Sequence, residues 1–124
     1  MSVLEIGQKL VALCQEGKNV EAVDTLFSED AESIEAMDMP PNLPAEMKGL
    51  DAIRKKNEWW FSVNEVHSGE TKGPFPNGDR FAVIFSFDVT AKAGPRAGQR
   101  FQFEEVGLYT VADGKIVKEE FFYS

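Results

Sequence analysis

FQFEEVGLYTVADGKIVKEEFFYS, residues Phe101 to Ser124, is the stretch whose reading decides the fold. It divides into two runs around Asp113-Gly114, a dipeptide suited to a two-residue hairpin because a type I′ turn needs positive φ at both central positions. Closing the hairpin there sets Ala112 opposite Lys115. The register then runs back through Val111 and Ile116, Tyr109 and Lys118, Gly107 and Glu120, and Glu105 and Phe122. Opposed residues share a sheet face. One face gathers Phe103, Glu105, Gly107, Tyr109, Val111, Ile116, Lys118, Glu120 and Phe122; the other gathers Glu104, Val106, Leu108, Thr110, Val117, Glu119, Phe121 and Tyr123. Each is about half apolar, and a slip of one residue exchanges them.

Immediately upstream, Arg80 to Lys92 alternates cleanly, with Phe81, Val83, Phe85, Phe87 and Val89 on one side and Ala82, Ile84, Ser86, Asp88 and Thr90 on the other. The loop Gly94 to Gly98 leads into the terminal hairpin. With Ala93 opposite Gln99, Phe85 faces Gly107 and Phe87 faces Glu105, so the aromatic row joins the Glu105, Gly107 and Tyr109 face. That is the expected core face. Asn77-Gly78 reads as a second hairpin turn. It follows a strand from Glu65 to Phe75 that Gly69 and Gly73 interrupt, and an unbulged pairing there sets His67 against Asp88.

The first half is helical. Ser2 to Glu16 opens with a capping box, Ser2 and Glu5, and carries an apolar stripe of Val3, Ile6, Leu10, Leu13 and Cys14 before Gly17 stops it. Cys14 on that stripe reads as an inert core residue. Asn19 is placed to cap a shorter helix through Phe27. Ala31 to Met37 reads as a short strand. Asp38 to Lys48, with Pro40, Pro41 and Pro44, reads as irregular, its Met39, Leu43 and Met47 packing over something. A third helix runs from Gly49 to Val63, with Ile53, Asn57, Trp60 and Phe61 on one face and Trp59 on another. Three helices and a long antiparallel meander predict an α+β architecture with helices on one face of a curved sheet.

Composition excludes several functions. A net charge of −8 opposes binding to nucleic acid or to an anionic membrane surface, both of which need clustered Lys and Arg. One cysteine and one histidine leave no disulfide and no Cys- or His-based metal site. The start MSVLEIGQKL lacks the pattern of a signal peptide, and the longest apolar run, Phe81 to Phe87, is too short to cross a bilayer. The expectation is a cytoplasmic protein that needs no cofactor. The chain is long enough for one domain with a sizeable core, and ten phenylalanines suit a wide one.

The order of elements, Asp30-Ala31 at the entry to the first strand, Gly49 before the third helix and the terminal DGKIVKEEFFY resemble the nuclear-transport-factor-2-like superfamily, and its SnoaL-like branch in particular. The resemblance covers essentially all of residues 1–124, as one domain. It implies a cone: a strongly bent antiparallel sheet wrapped on three N-terminal helices, with a mostly apolar pocket between. It also implies a homodimer through the outer sheet face, which Ile84, Val106, Leu108, Val117 and Phe121 would furnish. Ketosteroid isomerase-like members use a carboxylate base on the first strand and a protonated acid on the penultimate one. The base position falls on Glu35 and the acid position on Gly107, which has no side chain to donate. Glu120, opposite Gly107 in the expected register, and Glu105, two residues away, are the carboxylates able to enter that space.

Glu35, Glu105 and Glu120 are therefore the candidate catalytic groups, with Trp60, Phe85, Phe87, Gly107, Tyr109 and Lys118 as candidate ligand contacts. A carboxylate among rings has its charged form disfavoured, and its pKa rises toward values useful for proton transfer. Two readings follow. One is a cofactor-independent isomerase- or cyclase-type enzyme acting on a small apolar carbonyl compound; the other is a non-catalytic ligand-binding or interaction protein with the same pocket.

Overall fold

The structure is a computed structural model that describes residues 1–38 and 43–123. Its first helix, α1 (Val3–Gln15), begins in the expected capping box: Ser2 Oγ accepts from the Glu5 N–H at 3.1 Å, and Glu5 Oε1 accepts from the Ser2 N–H at 3.2 Å. Ile6, Gly7, Leu10 and Val11 face inward, while Leu13 and Cys14 sit half-buried at the flank. Helix α2 (Asn19–Leu26) starts one residue earlier than a cap at Asn19 requires. Lys18 holds the cap position with no side-chain bond, and Phe27 is already extended.

Strand β1 (Phe27–Ile34) therefore starts at Phe27 rather than Ala31, because the Phe27 ring is buried and its backbone pairs with Ile116. Strand β2 (Glu46–Lys48) pairs antiparallel with β1, so the proline-containing segment ends in an edge strand rather than staying irregular to Lys48. The reading of Met39, Pro40 and Pro41 falls outside the described residues. Gly49, at φ +97°, occupies a backbone region that side chains rarely adopt and turns the chain into α3 (Leu50–Val63).

Strands β3 (Asn64–Asn77), β4 (Arg80–Ala91), β5 (Arg100–Ala112) and β6 (Lys115–Phe122) form the expected antiparallel meander. The six-stranded order is β2-β1-β6-β5-β4-β3. β1 runs parallel to β6, so the sheet is mixed, not wholly antiparallel. The turn before β4 is Gly78-Asp79, since Asn77 pairs with Arg80. Where α1 crosses β3, a Cβ on Gly7 would lie 2.7 Å from Pro74 Cβ, so only glycine permits that approach. Phe85 pairs with Glu105 and Val83 with Gly107, two residues from the expected register, a shift that leaves every side chain on its expected face. Phe81, Val83, Ile116, Ile6 and Ile53 are wholly buried between sheet and helices, each large side chain contributing roughly 1.5–3 kcal/mol.

The terminal hairpin departs from expectation in one place. Val111 pairs with Ile116, but Thr110 pairs with Lys118, leaving Val117 as the extra residue of a β-bulge. Beyond the bulge Tyr109 pairs with Glu119, Leu108 with Glu120 and Gly107 with Phe121. Glu119 and Phe121 therefore face the core, and Lys118, Glu120 and Phe122 face outward, the reverse of the expected order. Glu119 is 4% exposed whereas Phe122 is 52% exposed. The physical reason lies in the neighbours: Ser33 of β1 pairs with Glu119 and donates a hydrogen bond to it, and Lys56 stands 3.4 Å from the same carboxylate oxygen.

Candidate functional site

A cavity of about 90 Å³ lies between the helices and the core face of the sheet. Phe27, Trp60, Phe85, Phe87, Tyr109 and Phe121 supply most of its apolar wall, and Glu35, Lys56, Asn57, Glu105 and Glu119 its polar part. Trp60 belongs to an aromatic cluster, its ring centroid 5.0 Å from Phe61, 5.1 Å from Phe87 and 5.9 Å from Phe103.

Three elements bring charge to this wall. Lys56 follows Ile53 by three positions on α3, so helical geometry turns it to the same buried face. Ser33 follows Ala31 by two on β1, and strand alternation turns both inward. Glu119 arrives through the bulge. The Lys56 ammonium donates to Ser33 Oγ, and Ser33 Oγ donates to Glu119 Oε2 at 2.7 Å. Lys56 Nζ is also 3.4 Å from Glu119 Oε2 and 4.8 Å from the centroid of the Phe121 ring. Burying such charges costs several kcal/mol per ion before pairing offsets it.

Glu35, just past the end of β1, lies 3.7 Å from Lys56 Nζ through its Oε2, too far for a hydrogen bond, and that oxygen is buried without a partner. Burial raises the Glu35 pKa, the Lys56 charge opposes the rise and the Glu119 charge adds to it. Glu105, beside Phe85 on the neighbouring strand, is pushed up to about 7, first by burial and then by the Glu35 charge, with Lys56 pulling the other way. Among the described residues Glu105 has no ion pair, so the more distant Lys56 charge offsets the burial only in part. A carboxyl with that pKa exchanges protons readily near neutrality. Tyr109, wholly enclosed, has its pKa raised well above the ordinary value by burial, and so stays a neutral phenol. The Cys14 thiol, pushed up to about 12 by burial, is unreactive.

Of the residues singled out in the sequence, Glu35, Glu105, Trp60, Phe85, Phe87 and Tyr109 meet at the cavity. Gly107 stands behind it, but the space it leaves is filled: a Cβ there would lie 2.9 Å from Tyr109 Cε2 and 3.1 Å from Phe85 Cε2. No carboxylate enters that space. Glu120 and Lys118 stand on the outer face, 3.7 Å apart in an ion pair of their own. His67 bonds Thr90 Oγ1 at 2.6 Å, and Asp88 pairs with Arg100 at 2.9 Å, so the pairing of His67 with Asp88 does not form. Sequence reasoning missed Lys56, Ser33 and Glu119. For Lys56 a signal existed, a lysine in register with Ile53 and Trp60.

Helices laid over the concave face of a bent, mostly antiparallel sheet, with a part-charged cavity between, define the cone-shaped α+β pocket folds. The chain belongs to the SnoaL-like domain family, which it matches over residues 1–123. A solved protein from Mesorhizobium loti is 43% identical, covering 99% of this chain and 100% of its own, with a TM-score of 0.89; it carries the provisional name SnoaL-like polyketide cyclase, with carbohydrate phosphatase in brackets. An NTF2-like protein from Burkholderia thailandensis has a TM-score of 0.80 at 17% identity, covering 98% of this chain and 90% of its own. A protein from Catenulispora acidiphila with a ketosteroid isomerase-like fold, solved with trimethylamine, has a TM-score of 0.72 at 21% identity, covering 97% and 85%. At those last two identities the likeness is one of fold. A comparison with functionally curated proteins gives no match. Among the described residues no helix is long and apolar enough to cross a membrane, and no three His, Cys, Asp or Glu side chains are grouped as metal ligands would be.

Proposed function

We propose that the protein is a cofactor-independent isomerase- or cyclase-type enzyme that moves a proton on a small, mostly apolar carbonyl compound. The observation that carries this reading is the place of Glu105, a half-buried carboxyl on the aromatic cavity wall, where its surroundings push its pKa up to about 7. As carboxylate it takes a proton from the carbon beside the carbonyl; the C–H electron pair becomes the C=C bond and the carbonyl π pair moves to oxygen. Returning the proton to a different carbon isomerises the compound. Alternatively, the enolate carbon attacks a second carbonyl of the same molecule, and Glu105 protonates the resulting alkoxide, closing a ring. The aromatic wall excludes water from the enolate. The provisional cyclase name of the Mesorhizobium loti relative agrees with the second course.

The test is deuterium incorporation from heavy water into the carbon beside the carbonyl of small diketones, followed by NMR. Glu105→Gln should slow exchange by about 10²–10⁴-fold, the usual worth of a positioned acid or base. Exchange that never exceeds the buffer rate would refute the enzymatic reading. A second reading, a non-catalytic ligand-binding or interaction protein, is favoured by Gly107, which leaves the isomerase acid position without a side chain and under the Tyr109 ring. Ligand binding without exchange would establish it.

The assembly we propose is a homodimer through the outer sheet face, in the cytoplasm. Phe121 is not part of that face; the half-exposed Phe122 joins Ile84, Val106 and Leu108 there instead. Sedimentation at micromolar concentration should give a dimer, and a clean monomer would sink the assignment.

A further inference from the structure

Gly107 lets Tyr109 lie down along its own strand. Both belong to the core face of β5, and Glu105 is next in line beyond the glycine. A Cβ on Gly107 would stand 2.9 Å from Tyr109 Cε2 and 3.2 Å from the Tyr109 hydroxyl oxygen. The phenol ring therefore covers the bare glycine, and its hydroxyl reaches back toward Glu105, whose stem is about 7 Å further along, one repeat of the pleat. Stacking on Phe81, at 5.1 Å between centroids, and edge contacts with Phe27 and Phe121 fix the ring in that pose. Tyr109 is 3% exposed and lines the cavity. The charges of Glu119, Glu105 and Glu35 act on its hydroxyl, yet no hydrogen bond to a described residue holds it. Nor is it sealed in: among the described residues, Glu35 Oε2 is the side-chain atom with neither a partner nor accessible surface. The Tyr109 hydroxyl thus opens on the cavity as an unmet donor, and buried polar groups of that kind are nearly always hydrogen-bonded.

We infer that Tyr109 binds the ligand's carbonyl oxygen, its hydroxyl donating from the place that Gly107 leaves open. The inference rests on the reading of this cavity as a pocket for a carbonyl compound and adds the residue that holds the oxygen. Two other donors of the wall are committed elsewhere: Lys56 to Ser33, Glu119 and Glu35, and Asn57 Nδ2 to Ile53 O at 3.1 Å. Burial keeps the phenol neutral, so its proton is in place for donation. Set side by side, Glu105 and the Tyr109 hydroxyl match two atoms of one molecule. Glu105 serves the carbon that loses a proton, and Tyr109 serves the oxygen, two bonds away, that takes up the charge. The C–H proton passes to Glu105 and the electron pair moves through to oxygen. The Tyr109 O–H stays whole, and its hydrogen bond strengthens as the charge on the oxygen grows. An alkyl group in the same seat would leave the donor unmet.

The experiment compares cyclopentanone with methylenecyclopentane, rings of one shape in which an oxygen replaces a CH2 group. Binding is followed by the fluorescence of Trp59 and Trp60, both in the cavity wall. Tyr109→Phe should weaken cyclopentanone by about 3–10-fold and leave methylenecyclopentane within about twofold. Infrared difference spectra read the hydrogen bond itself. In the wild-type protein the bound ketone's carbonyl stretch should lie below its value in hexane, and in Tyr109→Phe it should return toward that value. Deuterium exchange into cyclopentanone should slow by about 10²–10³-fold in the same variant, the usual worth of a donor at a developing oxyanion. Glu120→Gln, on the other face, should change none of these. Circular dichroism checks each variant's folding. If Tyr109→Phe does not fold, Gly107→Ala decides the matter, because its methyl group displaces the Tyr109 ring and should abolish the infrared shift. A stretch at the hexane value in the wild-type protein would overturn the inference. So would equal stretches in wild type and variant, or failure of both compounds to bind. A lowered stretch without deuterium exchange removes the enzymatic reading alone; exchange with the stretch at the hexane value removes this inference alone.

Discussion

Replacing Glu105 by Gln should flatten the dependence of stability on pH. The Glu105 carboxyl ionises at about 7 in the folded protein against an ordinary value of 4.5. Between those values the folded state holds a proton that the unfolded state has released, so stability falls as pH rises through the window. The contribution is fully present below about 4.5 and lost above about 7. A gap of about 2.5 pH units at 1.36 kcal/mol each gives about 3 kcal/mol, a large share of the 5–15 kcal/mol typical of a domain. Glutamine keeps the shape and cannot ionise. At pH 5 the two proteins should therefore unfold at similar urea concentrations, and by pH 8 the variant should lead by about 1–2 M. Glu35, whose pKa is raised in the same direction, is present in both proteins, so the difference between them isolates Glu105 and its coupling to Glu35. Parallel curves from pH 5 to 8 would refute the burial argument and with it the basis for treating Glu105 as the proton carrier.

Further outcomes follow from the same geometry. Glu119→Gln should cost about 2–4 kcal/mol because it takes from buried Lys56 the nearer of its two carboxylates, whereas Glu120→Gln should change urea stability by about 0.5 kcal/mol or less; equal costs would mean that the bulge is wrong. Gly107→Ala should lower thermal stability by about 1–3 kcal/mol, since the new methyl group meets the rings of Tyr109 and Phe85. Ser2→Ala removes the α1 cap and should cost about 1 kcal/mol, seen as faster amide exchange in the first turn.

The fold was legible because its signals are local and redundant. Ser2 with Glu5, Asp113-Gly114 and the alternation of Phe81 through Val89 each act within a few residues, and the structure keeps all three. The two-residue error between β4 and β5 did no harm, because an even shift preserves faces. The site was less legible for the opposite reason. Val117 bulges because Glu119 finds Ser33 and Lys56 on elements far away in the sequence, and the hairpin's own residues carry no trace of those partners. Lys118-Glu119-Glu120-Phe121-Phe122 offers one glutamate and one phenylalanine to each face in either register, so polarity could not choose between them. Glu35 was found through the resemblance, as the base position counted from Asp30-Ala31, and Glu105 through its place on the aromatic face beside Gly107, which the even shift left unchanged. Lys56 was overlooked because lysine in a helix is usually a solvated residue.

The doubled letters of β6 also make the cavity tolerant of length changes. Suppose evolution removed one residue anywhere from Val117 to Phe121. Counting along the shortened strand with the present partners in β5, the position opposite Tyr109 would still be filled by a glutamate and the position opposite Gly107 by a phenylalanine. Losing Val117 would straighten the strand around the residues now in place; losing Lys118 or Glu119 with the bulge retained would promote Glu120 and Phe122 inward; losing Glu120 or Phe121 would promote Phe122 alone. A single-codon deletion, ordinarily ruinous in a strand with one buried face, would here return the same two side-chain types to the ligand's wall.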